Sequence, residues 1–392
     1  MKKILLLTQF FFPDRTGTGK ILSELCHELV KNDFAIDVAA SRQEFGRKNA
    51  QLLDSFQVWH NIRIFRSCSL FGDKNKTFGR IYNYLAVFVC TFITCWSKCL
   101  FKEKDIILSV SNPPIMPLLG VLLKHPKQKF FYIVHDLYPD IAIAMGVVSR
   151  KHLFSRVMFA VNNYVFKHAD GVIVLGRDMA RYLQDNYYIP AEKIHIFPNW
   201  GNDSLLSIDN DADTGRKLRI VYSGNMGRFH NLELAAEAVK DMPDVELFFV
   251  GEGQAKKDLM AGYGKYENIK FLTYMPDDEY IDMLTSADAL LVSLEEKLSG
   301  LAVPSKFYTY LAAGRPIICI SDEDTEMAMT IRENNCGYIV EHGNLQQFVM
   351  CCESLSKDKN KKTQLGNNAR RMFLDRYRLK HVMKKYVELF DK

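Results

Sequence analysis

The residues best placed to do chemistry sit where apolar runs stop. Val134-His135-Asp136 ends one such run and leads into Leu137-Tyr138-Pro139-Asp140. In an open α/β sheet the carboxyl end of a strand is the ordinary ligand position. There His135 would donate a hydrogen bond to a substrate hydroxyl or a departing phosphate, and Asp136 would orient the ring or an acceptor hydroxyl. A plain loop with Asp136 as a helix N-cap is the alternative. Ser223-Gly224-Asn225-Met226-Gly227-Arg228 follows another apolar run and precedes a helical pattern. Its glycines would let backbone N–H groups face a diphosphate, Arg228 would bind it bidentately, and Asn225 and His230 would add donors. Pro304-Ser305-Lys306 precedes the helical stretch 307–313. Ser305 would cap that helix and Lys306 would meet negative charge at its start. Gly17-Thr18-Gly19-Lys20 opens a helix directly after the first apolar run, so a ligand could approach the backbone closely; a tight turn would use the same residues. This is neither a P-loop nor GxGxxG, because Asp14, Ile21 and Leu22 stand at positions those motifs reserve for Gly, Ser/Thr and Gly.

Positioning such groups takes strands, and the chain supplies them twice. Continuous apolar runs at 3–8, 35–40, 105–109, 129–134 and 171–175 alternate with helical patterns, the first at 17–31. The pattern restarts at 218–222 and continues at 246–250, 289–293 and 316–320. Runs of this kind predict parallel sheets covered on both faces. The stretch 202–216, rich in Asp, Asn and Ser, reads as a linker or exposed loop. The 392 residues therefore divide into two doubly wound α/β units, an α/β fold whose active site would lie in the cleft between facing sheets. A net charge of +5 suits anionic ligands or an anionic membrane surface, and no nucleic-acid motif accompanies it. Nine scattered cysteines without metal spacing read as reduced thiols in a cytoplasmic protein, and no metal site is implied. The apolar run after Met1-Lys2-Lys3 is too short for a signal peptide.

Residues 81–97 carry no charge and lie between Lys74, Lys76 and Arg80 on one side and Lys98, Lys102 and Lys104 on the other. The run is short for a membrane span, which needs about 20 apolar residues. It reads as a core helix, as a monotopic helix lying in a membrane interface, or as both if one face is core and the other lipid. Residues 367–392 read as one basic helix.

With these residues in view, the chain resembles the GT-B superfamily and, within it, the family-4-type retaining glycosyltransferases. Ala169-Asp170-Gly171-Val172-Ile173-Val174-Leu175, Lys193–Trp200, Val250-Gly251-Glu252-Gly253 and Tyr310-Leu-Ala-Ala-Gly314-Arg-Pro316 resemble family hallmarks. Tyr138-Pro139-Asp140 and Val303-Pro-Ser-Lys306 are similar to a subgroup that builds capsules, O-antigens and other bacterial surface glycans. The resemblance implies two Rossmann-like domains, with an acceptor-binding domain over 1–200 and a nucleotide-sugar-binding domain over 201–370. Residues 371–392 would form a C-terminal helix crossing back to the first domain. It implies His135 and Asp136 in catalysis, and Gly17, Thr18 and Gly19 at the acceptor. Gly224, Asn225, Gly227, Arg228, His230, Gly251, Glu252, Tyr274, Pro304, Ser305, Lys306 and Thr309 would meet the donor. The expected activity is metal-independent, retaining hexosyl or N-acetylhexosaminyl transfer from a UDP-linked nucleotide-sugar, a substrate rather than a cofactor. The expected acceptor is a lipid-linked saccharide at the inner face of the cell membrane. One departure stands out. Two glutamates that many relatives carry would fall at Leu301 and Thr309. Their loss keeps open a non-catalytic GT-B homologue acting as a partner subunit; a nucleotide-sugar 2-epimerase is the other alternative.

Overall fold

The computed structural model describes residues 1–14, 17–43, 52–68, 77–207, 217–227 and 230–392. It divides into two compact units, Met1–Pro198 with Met383–Lys392, and Asn199–Val382.

The first unit runs β1 (Lys3–Leu7), α1 (Gly17–Lys31), β2 (Ala35–Ser41), β3 (Phe56–Trp59), β4 (Ile62–Ser67), α2 (Thr77–Ser97) and β5 (Ile106–Val110). It continues through α3 (Met116–Leu123), β6 (Lys129–Val134), α4 (Asp140–Ala144), α5 (Leu153–His168), β7 (Gly171–Val174), α6 (Arg177–Tyr187) and β8 (Ile194–Ile196). The sheet order is β3-β4-β2-β1-β5-β6-β7-β8. All pairs are parallel except the β3–β4 hairpin. The wholly apolar Ile4-Leu5-Leu6-Leu7 is buried between β2 and β5 because helices cover both faces. The strand order reverses between β1 and β5, which puts the crevice of this sheet beyond their carboxyl ends. The chain's last residues return to this unit. Phe390 packs on Phe34 and Phe131, and Lys2 Nζ donates to the Phe390 carbonyl at 2.7 Å.

The second unit runs β9 (Leu218–Ser223), α7 (Glu233–Val239), β10 (Val245–Val250), α8 (Lys256–Tyr263), β11 (Ile269–Leu272), α9 (Asp277–Thr285) and β12 (Ala289–Ser293). Then come α10 (Lys306–Ala313), β13 (Ile317–Ile320), α11 (Glu326–Asn334), β14 (Gly337–Val340), α12 (Leu345–Lys357) and α13 (Lys359–Met372), before α14 (Leu379–Asp391), most of which belongs to the first unit. Its parallel sheet has the order β11-β10-β9-β12-β13-β14, with the reversal between β9 and β12. Tyr222, Leu247, Phe249, Leu291 and Phe348 are fully buried in its core.

Two expectations need correction here. Residues 367–392 are not one helix: a π-helical turn at Phe373–Tyr377 and an extended Arg378 separate α13 from α14. The break is held by packing. Tyr377 packs against Tyr308 with the rings tilted, its carbonyl accepts the Gly201 N–H at 3.1 Å, and Arg378 pairs with Asp203 at 2.7 Å. Arg370 is also committed, donating to the carbonyls of Leu205 and Ala313. The return to the first unit consequently starts at Met383 rather than at 371. The linker expected over 202–216 opens as a 3₁₀ turn, Asp203–Ser207, and residues 208–216 lie outside the described residues.

Candidate functional site

In the second unit the β9/β12 switch point is built around a glycine-lined loop. Gly224 follows β9 with φ +122°, a left-handed conformation that suits glycine, and a Cβ there would meet Lys306 Cε and Nζ at 3.3 Å. Gly251, after β10, is equally constrained: φ is +129°, and a Cβ would fall 2.2 Å from the Gly224 carbonyl oxygen. Gly253 stands in the same relation to the Met226 carbonyl. The two loops are tied by Gly224 N–H to Val250 O at 2.9 Å and Met226 N–H to Glu252 O at 2.8 Å. The Gly251→Ala variant is expected to unfold with roughly 2–4 kcal/mol less stability, since it combines a strained φ with overpacking against a backbone that cannot yield. Denaturant unfolding measures this, and unchanged stability would mean the Gly224 loop moves aside freely.

Lys306, at the first position of α10, reaches over the Tyr222 ring, with Nζ 3.8 Å from its centroid. It donates to Tyr222 Oη at 2.5 Å, while Tyr222 Oη donates to the Asn225 carbonyl at 2.7 Å. Burial pushes the Lys306 ammonium down to about 7. Among the described residues no carboxylate pairs with it. The site therefore holds an ammonium group that gives up its proton readily while it has no counter-charge and is held charged once an anion arrives. Tyr310 of α10 anchors the same loop by accepting the Ser223 N–H at 2.8 Å. Lys256, buried, bonds the carbonyls of Gly251 and Leu272 and the half-exposed Glu252 carboxylate. Beside the end of β11, Tyr274 is 62% exposed and lines a groove of about 570 Å³ with Leu272, Met275, Pro276 and Glu279.

Not every expected donor contact is arranged as expected. Arg228 lies outside the described residues. His230 is present but offers the opposite polarity. Its Nδ1 is 2.8 Å from the Ser293 carbonyl and must carry the proton, leaving Nε2 as an acceptor. Burial, then the Lys306 charge, lower the ring to about 3, so it is neutral. Ser305 occupies the N-cap position of α10, but its hydroxyl makes no capping bond and its backbone is already helical. Glu252 supports Lys256 rather than standing free. Thr309 is half-buried on α10, and Asn225 is exposed beside Gly227. Pro304 accepts the Phe307 N–H, tightening the helix start.

In the first unit α1 begins at Gly17, with Gly17 exposed, Thr18 half-buried and Gly19 buried; it does not follow β1 directly, since β1 ends at Leu7 and residues 8–16 lie between. Across the β1/β5 reversal, Ser111 Oγ accepts the N–H groups of both His135 and Asp136 at 3.1 Å and fixes the loop after β6. Burial holds the His135 imidazole down at about 4 and raises the Asp136 carboxyl to about 6. Asp136 nonetheless keeps contact with solvent. Among the described residues neither side chain has a hydrogen-bond partner, and Asp136 does not orient His135. Nor does Asp136 cap a helix, because α4 starts later, after Pro139. Asp140 is instead buried between the hydroxyls of Tyr182 and Tyr187, at 2.7 and 2.6 Å.

Comparison with known proteins fits this pair of sheets. Residues 15–203 match the family described as Glycosyltransferase Family 4, and residues 208–372 match Glycosyl transferases group 1. The chain is a family-4-type glycosyltransferase of the GT-B fold. Among its relatives is the "Probable glycosyltransferase WbjE" of Pseudomonas aeruginosa, 26% identical over 60% of this chain and 62% of that protein, less than two thirds of its length. Another is the "Putative colanic acid biosynthesis glycosyl transferase WcaI" of Escherichia coli K12, 23% identical over 83% and 84%. Similar folds include a sucrose-phosphate synthase from Thermosynechococcus elongatus, with TM-score 0.77, 14% identity and 100% and 98% coverage. Anabaena HepE in complex with UDP aligns with TM-score 0.71, 14% identity and complete coverage of both chains.

Neither Leu301 nor Thr309, the positions where the family resemblance would put glutamates, supplies a carboxylate. Leu301 is buried, and Thr309 sits one turn along α10 from Lys306. Sequence reasoning missed Tyr222, Tyr310 and Lys256, the side chains that hold the phosphate-suited loop. Only the four-residue spacing of Glu252 and Lys256 was a local signal.

Proposed function

We propose that the protein is a retaining glycosyltransferase. It moves a sugar, hexosyl or N-acetylhexosaminyl, from a UDP-linked donor to a lipid-carried saccharide during synthesis of a surface polysaccharide such as capsule or O-antigen. It works without a metal ion, at the inner face of the cell membrane. The observation that carries this reading is the half-buried Lys306 over the Gly224 loop, with no carboxylate partner among the described residues, poised for a diphosphate. The Tyr274 groove suits the base. In transfer, the leaving diphosphate gains charge as the glycosidic bond breaks, and Lys306 with the loop N–H groups stabilises it. His135 contributes a neutral hydrogen bond to the reacting sugar. The name of WcaI, which speaks of colanic acid biosynthesis, supports the polysaccharide setting, and HepE with UDP or UDP-glucose supports the donor.

The test is incubation of the purified protein with a panel of UDP-sugars and lipid-linked saccharides. NMR then assigns the product anomer. Transfer with the donor's anomeric configuration is expected, and the opposite anomer would overturn retention. The missing carboxylates at Leu301 and Thr309 favour a second reading, a non-catalytic partner subunit. That reading gains if UDP binds normally yet neither transfer nor donor hydrolysis occurs.

A further inference from the structure

The first unit carries an outer surface unlike the rest of the molecule. Helix α2 buries one face, Ala86, Val87, Cys90, Thr91 and Cys95, against the sheet. Its other face exposes Tyr82, Leu85, Val89, Ile93 and Trp96, with Ile93 at 56% and Trp96 at 61%. Their i, i+3, i+4 spacing makes one continuous stripe. Right-handed crossovers put α2, α3 and α5 on the same face of the sheet, and α3 packs against both neighbours. Leu122 of α3 and Leu153 and Val157 of α5 are also exposed, Leu153 at 71%, so the apolar surface extends over three helices.

Charge distinguishes this surface from an ordinary apolar patch. None of the three helices contains Asp or Glu. Exposed Lys98, Lys102, Arg150, Lys151, Arg156 and Lys167 border or dot it. The acids that follow these helices in sequence have partners: Glu103 pairs with Lys3, Asp105 accepts the Lys3 backbone N–H, and Asp170 pairs with Lys124. Lys104, expected among the flanking cations, is withdrawn into an ion pair with Asp37. Among the described residues no helix is long and apolar enough to cross a membrane.

We infer that the outer face of α2, α3 and α5 lies on an anionic lipid bilayer, apolar side chains in the interface and the cations at the headgroups. Anionic headgroups complement three helices that carry cations and no Asp or Glu, and Trp96 and Tyr82 are the ring types that favour the interfacial depth. A second copy of the chain docking symmetrically here would set cations against cations. Helices of such a fold start at the carboxyl edge of the strands, so Leu153 and the start of α2 lie toward the same edge as His135. A lipid-borne molecule would arrive beside that edge. This deepens the lipid-linked acceptor reading, but the binding itself does not depend on it.

Flotation of the full chain with vesicles of phosphatidylcholine alone, and of phosphatidylcholine with phosphatidylglycerol, tests the inference. Wild type is expected to float with the anionic vesicles, less so at high salt. The doubles Val89→Asp/Ile93→Asp and Leu153→Asp/Val157→Asp, all at exposed positions, should each lower binding at least about ten-fold with unchanged thermal unfolding. Brominated lipid should quench Trp96 fluorescence in wild type, read against Trp96→Phe. No binding to either vesicle overturns the inference, as does an undiminished α5 variant. So does a stable dimer in sedimentation that the α2 variant dissolves. Transfer to a water-soluble acceptor should persist in both variants; its absence in wild type that still floats would count against the transferase reading alone.

Discussion

Replacing Lys306 with alanine is expected to weaken nucleoside diphosphate binding by roughly ten-fold to a hundred-fold, the equivalent of one lost charged hydrogen bond. Binding of the nucleoside without phosphates should hardly change. Lys306 has one hydrogen-bond partner among the described residues, Tyr222 Oη, so its remaining donors await a ligand. Burial holds its ammonium near 7, which makes the empty site half-charged at neutral pH. A diphosphate favours the charged form and raises that value in the complex. The sign follows: affinity is full below about 7 and falls as pH rises above it, by up to about ten-fold per pH unit until the complex's own pKa is reached. The alanine variant should lose this slope. Working above pH 7 keeps the terminal phosphate's titration, near about 6, out of the comparison. Calorimetric titration of UDP and uridine into both proteins from pH 7 upward reads all of this. Equal loss for both ligands would mean Lys306 supports the fold, and no loss would place the diphosphate elsewhere.

What could be read in the sequence followed burial. Central strands such as Ile4–Leu7 and Ala289–Ser293 are covered on both faces and therefore appear as unbroken apolar runs. Edge strands do not. The β3–β4 hairpin mixes exposed Phe56 and Val58 with Gln57 and Arg63, while β11 and β14 are four-residue runs at sheet margins. The glycines of the Gly224 loop were legible because local conformation demands them. Their reason lay elsewhere: Gly251 is required by the Gly224 carbonyl, a neighbour brought close only by β9–β10 pairing. Tyr310 and Tyr222 look like core residues by type and spacing, and only their hydroxyl partners reveal that they hold the loop. His230 shows the same limit from the other side. Its position beside the loop was readable, but the Ser293 carbonyl that takes its N–H belongs to another strand.

The His135→Ala variant is expected to turn over roughly a hundred-fold more slowly, the scale of a lost acid/base or transition-state hydrogen bond, with donor affinity little changed. Folding should survive, because the bond that fixes this loop runs from the His135 backbone N–H to Ser111 and needs no imidazole. The ring itself has no partner among the described residues, so none of them consumes its hydrogen-bonding capacity. Its charge state defines what it can do. Held near 4 by burial, it is neutral through the physiological range and acts as a donor or acceptor rather than as a cation. Its contribution is present above about 4 and is lost only as pH falls through that value, so a bend in the rate profile near 6.5 cannot be assigned to it. Asp136, raised to about 6, is the group in this loop that titrates closer to neutrality. An acid limb near 6 that disappears in Asp136→Asn and persists in His135→Gln would separate the two. His135→Gln, which keeps an N–H donor at similar reach, should recover part of the rate if donation is the role. Full activity in a folded His135→Ala would remove the residue from the mechanism. A loss confined to KM would make it an acceptor-binding group, because only a contact strengthened in the transition state lowers kcat.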